Sequence, residues 1–332
     1  ELGQRAGWRA IAEPVTDDIA QGRALGRVPL PAWVNAPDVI AAGGVHGDRG
    51  SFSPASGSFR ARSQLPVYRR QLFPDPLPGE RFDQGTTIFE TAALRFWHLR
   101  DDVGIVSFRT KQHTISEDVL DGILRALEHA ERACGGVVVW QPREPFSLGA
   151  DLARLAPAIA AGAWDGIERM VAKFQQAALR LRYALVPTVA AVRGMALGGS
   201  CEFILHCDRT VAALESYIGL VETGVGLLPA GGGSKELALR AALEVRRGAN
   251  GGQLDLFPFL RTYFQNVARA TVSKSAPQAC ELGYLRPADV VVMHPHEVLH
   301  VAIGTARALA DAAYRPPLPP RDIPVAGGTG AA

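Results

Sequence analysis

Short apolar runs alternate with amphipathic segments from residue 91 onward, and this alternation constrains the fold more than any other feature of the sequence. Six runs have the length and apolar content of strands: ALRFWHL (93–99), VGIVSF (103–108), GVVVW (136–140), PTVAAV (187–192), CDRTVAAL (207–214) and ADVVVM (288–293). Helices are predicted at 116–133, at 164–184, from about residue 232, within 254–270 and at 296–313. Ser116 is the expected N-cap of the first of them. Strands that alternate with helices predict an α/β domain with a parallel sheet.

The composition excludes several classes of partner. Of the 332 residues, 47% are hydrophobic, and the formal net charge is +2, so neither a nucleic acid nor a membrane surface is expected. No apolar run reaches the roughly 20 residues that cross a membrane. The four cysteines form no CxxC pair and are predicted to be reduced thiols of a cytoplasmic protein. The chain begins with Glu and ends in GGTGAA, which indicates a piece of a longer protein.

Composition also divides the chain into segments. Residues 1–40 begin with a helical stretch that breaks at VPLPAWV, and residues 41–90 have the Gly, Ser, Pro and Arg content of a linker. The α/β domain is predicted over residues 91–315, with a helical insertion near 246–270. Residues 316–332 form a Pro/Gly-rich tail.

Two glycine-rich turns follow predicted strands, in FSLGADL and in GMALGGSCEF; their glycines are Gly149, Gly194, Gly198 and Gly199. The backbone N–H groups of a first helical turn lack partners within the helix. Two such groups that converge form an oxyanion hole, which stabilises negative charge on a carbonyl oxygen. A phosphate site is the alternative. Against it, neither turn contains G-K-[ST], and the carboxylate of Glu202 would repel a phosphate.

Two acids accompany these turns. Glu202 lies in the first turn of the helix that starts near Gly199, where the helix dipole alone would favour an acid. Glu222 lies among apolar residues in YIGLVETGVGLLPAGGG (217–233), so burial would raise its pKa into a range useful for proton transfer. Two carboxyl groups beside one oxyanion hole suit proton movement at the carbon atoms alpha or beta to a thioester carbonyl. One would hold and deprotonate a water molecule, and the other would donate a proton to the enolate carbon.

The segments FSLGADL, VPTVAAVRGMALGGSCEFILHCDRTVAA and YIGLVETGVGLLPAGGG, in this order and spacing, resemble the crotonase superfamily, and within it the enoyl-CoA hydratases. The resemblance covers residues 91–245 and, more weakly, 271–313. It implies the ClpP/crotonase spiral of ββα units. It also implies four site residues, the oxyanion-hole donors Ala150 and Gly199 and the acids Glu202 and Glu222.

The same resemblance implies the rest of the site. The turns would be supported by Gly149, Gly194 and Gly198. Coenzyme A would be contacted by Lys111, Ser147 and Leu148. No cofactor is expected beyond the coenzyme A of an acyl-CoA substrate. Isomerases of the superfamily often keep only one acid of the pair, so the presence of both favours hydration. Val221 departs from the family, in which many hydratases have Pro before the second acid.

The N-terminal segment adds a second resemblance. ELGQRAGWRAIA and GRALGRVPLPAWV resemble the end of the helical domain of a 3-hydroxyacyl-CoA dehydrogenase. A dehydrogenase segment before a crotonase-like domain resembles the bacterial multifunctional fatty-acid oxidation proteins, which implies a dehydrogenase domain and a thiolase as partners. No GxGxxG follows a predicted strand, so no NAD site is expected in this chain. Homo-oligomerisation stays open, because family members usually continue beyond the last helix into helices that pack against neighbouring subunits.

Two further motif matches are interpreted as coincidental. HEVLH (296–300) matches the HExxH zinc pattern, with His294 as an additional candidate, but no further ligand stands at a convincing distance. No metal site is therefore predicted. AGGGSK (230–235) is not a P-loop, because its lysine is displaced from the G-K-[ST] order.

These patterns together predict an enoyl-CoA hydratase of fatty-acid β-oxidation. It would add water in syn fashion to 2-trans-enoyl-CoA and give 3-hydroxyacyl-CoA, as part of a multifunctional dehydrogenase/hydratase protein. Two alternatives stay open: an enoyl-CoA isomerase, and a catalytically inactive docking module that uses residues 1–90 and 246–270 to hold partner domains.

Overall fold

The computed structural model describes residues 8–24, 26, 28–47, 49–61, 63–73, 85–100, 102–248, 255–325 and 327–328. The chain divides into two compact units, Glu1–Gln84 and Gly85–Ala332. Among the described residues, no helix is long and apolar enough to span a membrane. All four cysteines of the chain are free thiols, as the sequence predicts.

The first unit combines short helices with a small sheet. Its helices are α1 (Trp8–Ala20), α2 (Pro37–Ala41) and α3 (Pro66–Arg69), with a 3-10 turn at Ala32–Asn35. The described part of this unit also contains an antiparallel sheet of β1 (His46–Gly47), β2 (Gly50–Ser53) and β3 (Ser58–Arg60). Phe52 on β2 packs against Trp33 and Phe59. The sheet lies within residues 41–90, which the sequence predicted to be a linker. Its strands were not predicted, because strands of two to four residues are too short to show a periodicity. Part of that segment, residues 74–84, lies outside the described residues.

The second unit is an α/β domain, as predicted. In its described residues the sheet has seven strands in the order β10-β9-β8-β7-β6-β5-β4. Their bounds are β4 Thr86–Glu90, β5 Leu94–His98, β6 Gly104–Phe108, β7 Val137–Trp140, β8 Thr188–Leu197, β9 Arg209–Gly219 and β10 Val290–Val292. Strands β6 to β10 pair in parallel, whereas β4 and β5 form an antiparallel edge. The central strands β6 and β7 are buried along their whole length, which explains their unbroken apolar sequences.

Helices pack on this sheet and follow the predicted order. They are α4 Glu117–Ala133, α5 Leu152–Ala160, α6 Trp164–Arg182, α7 Gly199–His206, α8 Gly233–Gly248, α9 Phe257–Ala268, α10 Ala276–Glu281 and α11 Val298–Asp311. Ser116 caps α4 as expected, since its hydroxyl accepts the N–H of Val119. Helix α9 lies within the segment predicted as an insertion, of which residues 249–254 are outside the described residues.

Parallel pairing brings the ends of three strands to one edge of the sheet. β7 ends at Trp140, β8 at Leu197 and β9 at Gly219. Segments that follow the carboxyl ends of neighbouring parallel strands meet at the same edge, which is where α/β domains place their sites. β8 is longer than predicted, and its end reaches the glycine pair that starts α7.

Candidate active site

Two backbone N–H groups converge where the segments after β7 and β8 meet. A Cβ atom built on Gly149 would lie 2.9 Å from the nitrogen of Gly199, and one built on Gly199 would lie 3.6 Å from the nitrogen of Ala150. Among the described residues, the N–H groups of Ala150 and Gly199 donate to no protein acceptor. Gly199 is the first residue of α7, so the helix itself offers it no acceptor. The pair can therefore bind an oxygen atom of a ligand.

Close backbone contact explains the glycines at this point. Gly149 has a φ of +84° and Gly198 a φ of +56°, a region that side chains rarely adopt. A Cβ atom on Gly149 would also lie 2.6 Å from the carbonyl oxygen of Leu197. Gly194, which was predicted to support the turn, lies within β8, and a Cβ atom there would meet the side chain of Glu144.

Ser147 and Ser200 hold the two turns together. Ser147 forms a parallel bridge with Ala196 of β8. The hydroxyl of Ser200 donates to the carbonyl oxygen of Ser147 over 2.8 Å, and the N–H of Gly149 donates to the hydroxyl of Ser147 over 3.1 Å. Ser147, predicted to contact coenzyme A, is fully buried, and these contacts all lie within the protein.

Glu202 is a buried acid one turn into α7. Only 3% of the residue is exposed. Its Oε1 accepts the N–H of Gly233 over 2.8 Å, and a Cβ atom on Gly231 would lie 2.5 Å from its Oε2. Burial, followed by the charge of Glu222, raises the pKa of Glu202 to about 8, although the N–H groups of the 231–233 turn moderate the rise. The carboxyl group is thus poised to exchange a proton near neutral pH.

Glu222 begins a 3-10 turn, Glu222–Val225, that follows β9. Neither of its carboxyl oxygens accepts a well-formed hydrogen bond from another described residue, and both oxygens are buried. Burial raises its pKa, moderated by nearby backbone N–H groups of Val221 and Glu222. A Cβ atom on Gly198 would lie 3.4 Å from its Oε1, so this carboxyl group borders the turn that presents Gly199.

The two carboxyl groups act on each other. The charge of Glu222 raises the pKa of Glu202, so their protons titrate as a coupled pair. Such a pair favours one protonated and one ionised member near neutral pH, because ionising the second carboxyl brings two like charges together. The site therefore offers a general acid and a general base beside two free N–H donors.

A cavity of about 500 Å³ is lined in part by the residues that flank the Gly149–Ala150 turn in sequence. Its lining includes Lys111, Leu148 and Asp151. Two of the three residues predicted to contact coenzyme A, Lys111 and Leu148, therefore line one cavity.

The HEVLH segment does not present its histidines on one helix. His296 lies in a 3-10 turn, Pro295–Glu297, and His300 lies in α11. The Nδ1 atom of His296 is 3.3 Å from a guanidinium nitrogen of Arg193, a cation that a metal ion would face. Within the described ranges, no group of three His, Cys, Asp or Glu side chains could hold a metal ion.

Sequence reasoning missed the groups behind Glu202. The turn at 231–233 contacts its carboxyl group, and His206, at the end of the same helix, contacts its backbone carbonyl. The three consecutive glycines at 231–233 indicated that the backbone there packs closely against another group, but the sequence does not show which group. The buried Glu236 gave no signal, because an acid in the first turn of a helix is ordinary.

Comparison with known proteins finds a family match within the second unit. Residues 102–244 match the family described as enoyl-CoA hydratase/isomerase. A probable 3-hydroxyacyl-CoA dehydrogenase of Bacillus subtilis is 35% identical over 70% of this chain and 28% of its own length. A probable enoyl-CoA hydratase of Rhizobium meliloti is 33% identical over 36% of this chain and 43% of its own length. The chain thus spans less than half the length of these curated relatives.

Solved structures give the same fold. The crystal structure of an enoyl-CoA hydratase from Polaromonas superposes with a TM-score of 0.54 and 22% identity, covering 66% of this chain and 77% of the other. One from Bacillus anthracis superposes with a TM-score of 0.53, also at 22% identity, over 66% of this chain and 76% of the other. The chain therefore has the crotonase fold, and its residues 102–244 match the enoyl-CoA hydratase/isomerase family.

Proposed function

We propose that this chain is an enoyl-CoA hydratase, which adds water in syn fashion to a 2-trans-enoyl-CoA and releases a 3-hydroxyacyl-CoA, a step of fatty-acid β-oxidation. One observation carries the proposal: two buried carboxyl groups accompany a pair of free backbone N–H groups, those of Ala150 and Gly199. Glu222 borders the turn before Gly199, and Glu202 lies one turn into the helix that Gly199 starts. The match of residues 102–244 to the enoyl-CoA hydratase/isomerase family supports it.

In this proposal the N–H pair polarises the substrate. The thioester oxygen binds between the nitrogens of Ala150 and Gly199. Both hydrogen bonds strengthen as that oxygen gains negative charge, so they stabilise the enolate more than the bound substrate. Removal of one such donor in other enzymes lowers kcat by about 10²–10³, which is the size of effect expected for either N–H group.

The carboxyl pair moves the protons. The ionised carboxylate accepts a proton from a water molecule as its oxygen attacks C3, and the protonated carboxyl donates its proton to C2. The pair ends the cycle with one proton, now held by the other member. Burial suits this exchange, because it raises the pKa of both Glu202 and Glu222, and the charge of Glu222 raises the pKa of Glu202 further.

Coenzyme A would bind beside the Gly149–Ala150 turn. The cavity there offers the ammonium group of Lys111 to phosphate oxygens and the apolar side chain of Leu148 to the rest of the molecule. Hydration transfers no electrons, so the proposed reaction requires no redox cofactor, and coenzyme A enters only as part of the substrate. We assign neither an NAD site nor a metal site to this chain.

The whole protein is proposed to be multifunctional. Similarity to a probable 3-hydroxyacyl-CoA dehydrogenase supports a dehydrogenase activity, linked or associated, that consumes the hydratase product. A thiolase that acts after the dehydrogenase is a further proposed partner, and a cytoplasmic location fits the four free thiols.

Initial rates of crotonyl-CoA hydration, followed by loss of the enoyl-thioester absorbance, test the proposal. The full chain is compared with Glu202→Gln and Glu222→Gln, and with Glu168→Gln as a control at an exposed position on α6. General acid–base catalysis contributes about 10²–10⁴, so each of the first two variants is expected to lose at least about 10²-fold in kcat while the control keeps its rate.

Rates of Glu202→Gln or Glu222→Gln within a few-fold of the parent protein would show that the proposed roles are wrong. A 3-enoyl-CoA substrate separates hydration from isomerisation. Direct conversion of this substrate to the 2-enoyl isomer, with no hydration of crotonyl-CoA, would favour the isomerase instead.

A further inference from the structure

An ion cluster around one buried carboxylate adjoins the end of the helix that carries Glu202. We name it the Glu236 cluster; its members are Arg182 on α6, His206 on α7, and Lys235 and Glu236 on α8. Glu236 is only 1% exposed. Its Oε2 is 3.0 Å from a guanidinium nitrogen of Arg182, and its Oε1 is 2.8 Å from Nζ of Lys235. Nε2 of His206 is 3.6 Å from the same Oε1, so the cluster joins three helices through one buried carboxylate.

His206 connects this cluster to Glu202. Its Nε2 is 3.1 Å from Nζ of Lys235, and its Nδ1 is 2.7 Å from the backbone carbonyl oxygen of Glu202. An ammonium group can only donate, so Nε2 accepts, and the ring proton lies on Nδ1, which donates to the carbonyl. Burial lowers the pKa of His206 to about 4, which agrees with a neutral ring at neutral pH.

The ring of His206 also supports the turn that binds the Glu202 carboxyl group. A Cβ atom on Gly232 would lie 2.7 Å from Cε1 of His206, so the ring and the turn are in direct contact. The next residue, Gly233, donates its N–H to Oε1 of Glu202. His206 therefore acts on Glu202 in two ways. It contacts the backbone carbonyl of Glu202 directly, and it contacts the turn that binds the Glu202 carboxyl group.

Stability alone gives little reason for such a cluster. Buried ion pairs often contribute no more to stability than well-packed apolar side chains of similar volume, because both ions lose their hydration. What charged groups add is a fixed geometry, since each contact is directional. Here that geometry bears on the turn at 231–233, whose N–H groups reach Glu202.

We propose that His206 is a positioning residue: together with the Glu236 cluster it holds the Gly231–Gly233 turn against Glu202, so that the turn keeps its N–H groups on the carboxylate. The structural part of this inference stands on the contacts above, and only its kinetic readout rests on the proposed function. The other titratable groups near Glu202 are Glu222, after β9, and Cys201, on the same helix.

The direct test measures the titration of Glu202 in the full chain. Infrared spectra of its carboxyl band, taken as the difference from Glu202→Gln, give its apparent pKa without any need for activity. His206→Phe keeps a ring but removes both contacts, His206→Asn keeps a donor near the Nδ1 position, and Lys235→Met removes the contact to Nε2. Ile303→Ala, at a buried position on α11, is the control for general destabilisation.

A looser turn stabilises the carboxylate less, so the Glu202 pKa should rise. Loss of a hydrogen bond to a charged group predicts a rise of about one unit or more in His206→Phe. His206→Asn and Lys235→Met should show smaller rises, and Ile303→Ala none. For crotonyl-CoA hydration, the descending limb of kcat against pH, which reports loss of the proton from Glu202, should move to higher pH with the titration, while KM stays within about twofold.

Each outcome decides one of the two proposals. An unchanged Glu202 titration in folded His206→Phe overturns the positioning role, even if the protein is an active hydratase. If His206→Phe does not fold, an unchanged titration in Lys235→Met overturns it, since that side chain is 42% exposed and its loss leaves the core intact. A shifted titration in a protein that does not hydrate crotonyl-CoA supports the positioning role and refutes the proposed function.

Discussion

Replacement of Glu202 with glutamine is expected to stabilise the fold, and the gain should grow as the pH rises. Burial and the charge of Glu222 raise the pKa of Glu202 from 4.5 to about 8 in the folded protein. Between these two values the folded state binds more protons than the unfolded state, so the free energy of unfolding falls as the pH rises. Above about pH 8 this loss is complete, and below about pH 4.5 it is absent. Glutamine has no proton to lose and therefore lacks this dependence.

The size of the gain follows from the same pKa values. At 1.36 kcal/mol for each pKa unit, ionisation of Glu202 costs the fold up to about 4–5 kcal/mol. Two effects reduce the gain in the variant. The coupling to Glu222 lets the pair share one proton, and the new amide N–H₂ group finds no carbonyl prepared for it, at a cost of about 1–3 kcal/mol. A net gain of about 1–3 kcal/mol at pH 8 is therefore expected, against little or none near pH 5.

Urea unfolding at pH 5, 6, 7 and 8, followed by circular dichroism, measures this difference, provided that the m values of parent and variant agree. The exposed Glu168→Gln is the matched control and should give a small difference that is the same at every pH. A Glu202→Gln gain that is constant, or that shrinks as the pH rises, would refute the reasoning that places a proton on Glu202 in the folded state.

Three further predictions follow from other contacts. Gly199→Ala would place a Cβ atom 2.7 Å from the Phe174 ring, so kcat for crotonyl-CoA should fall at least about tenfold with little change in KM; an unchanged kcat would contradict the role of this turn. Lys111→Ala should raise KM several-fold and leave kcat unchanged in the same assay, and an unaltered KM would remove Lys111 from the coenzyme A site. Ser116→Ala should lower the free energy of unfolding by about 1 kcal/mol in urea, because α4 loses its N-cap; no change would refute the cap.

Local patterns were sufficient for much of the fold. The central strands and α4 follow from apolar runs and from a helical repeat with a serine cap, both of which are properties of neighbouring residues. β4 (Thr86–Glu90) was missed because it lies on the antiparallel edge, where its polar residues resemble those of a linker. β8 runs further than its apolar core predicts, since Gly194 stays within the strand at a bulge.

The candidate site could be proposed from the sequence only where its residues lie in recognisable short motifs. The turns at Gly149 and Gly198 and the acids beside them lie in short motifs, and the resemblance of these motifs to the crotonase superfamily connected them into one predicted site. The contact from His206 to Lys235, and the one from Gly233 to Glu202, join residues 29 and 31 positions apart across two helices. Such contacts depend on how the helices pack, and nothing in a local pattern encodes them.

The central claim concerns where the thioester lies relative to the two acids. A crystal structure with acetoacetyl-CoA measures it directly. The predicted result is a thioester oxygen about 2.7–3.1 Å from the nitrogens of both Ala150 and Gly199, with the carboxyl groups of Glu202 and Glu222 both facing C2 and C3. A thioester oxygen bound away from this pair, or a Glu222 carboxyl group turned away from C2 and C3, would contradict the account.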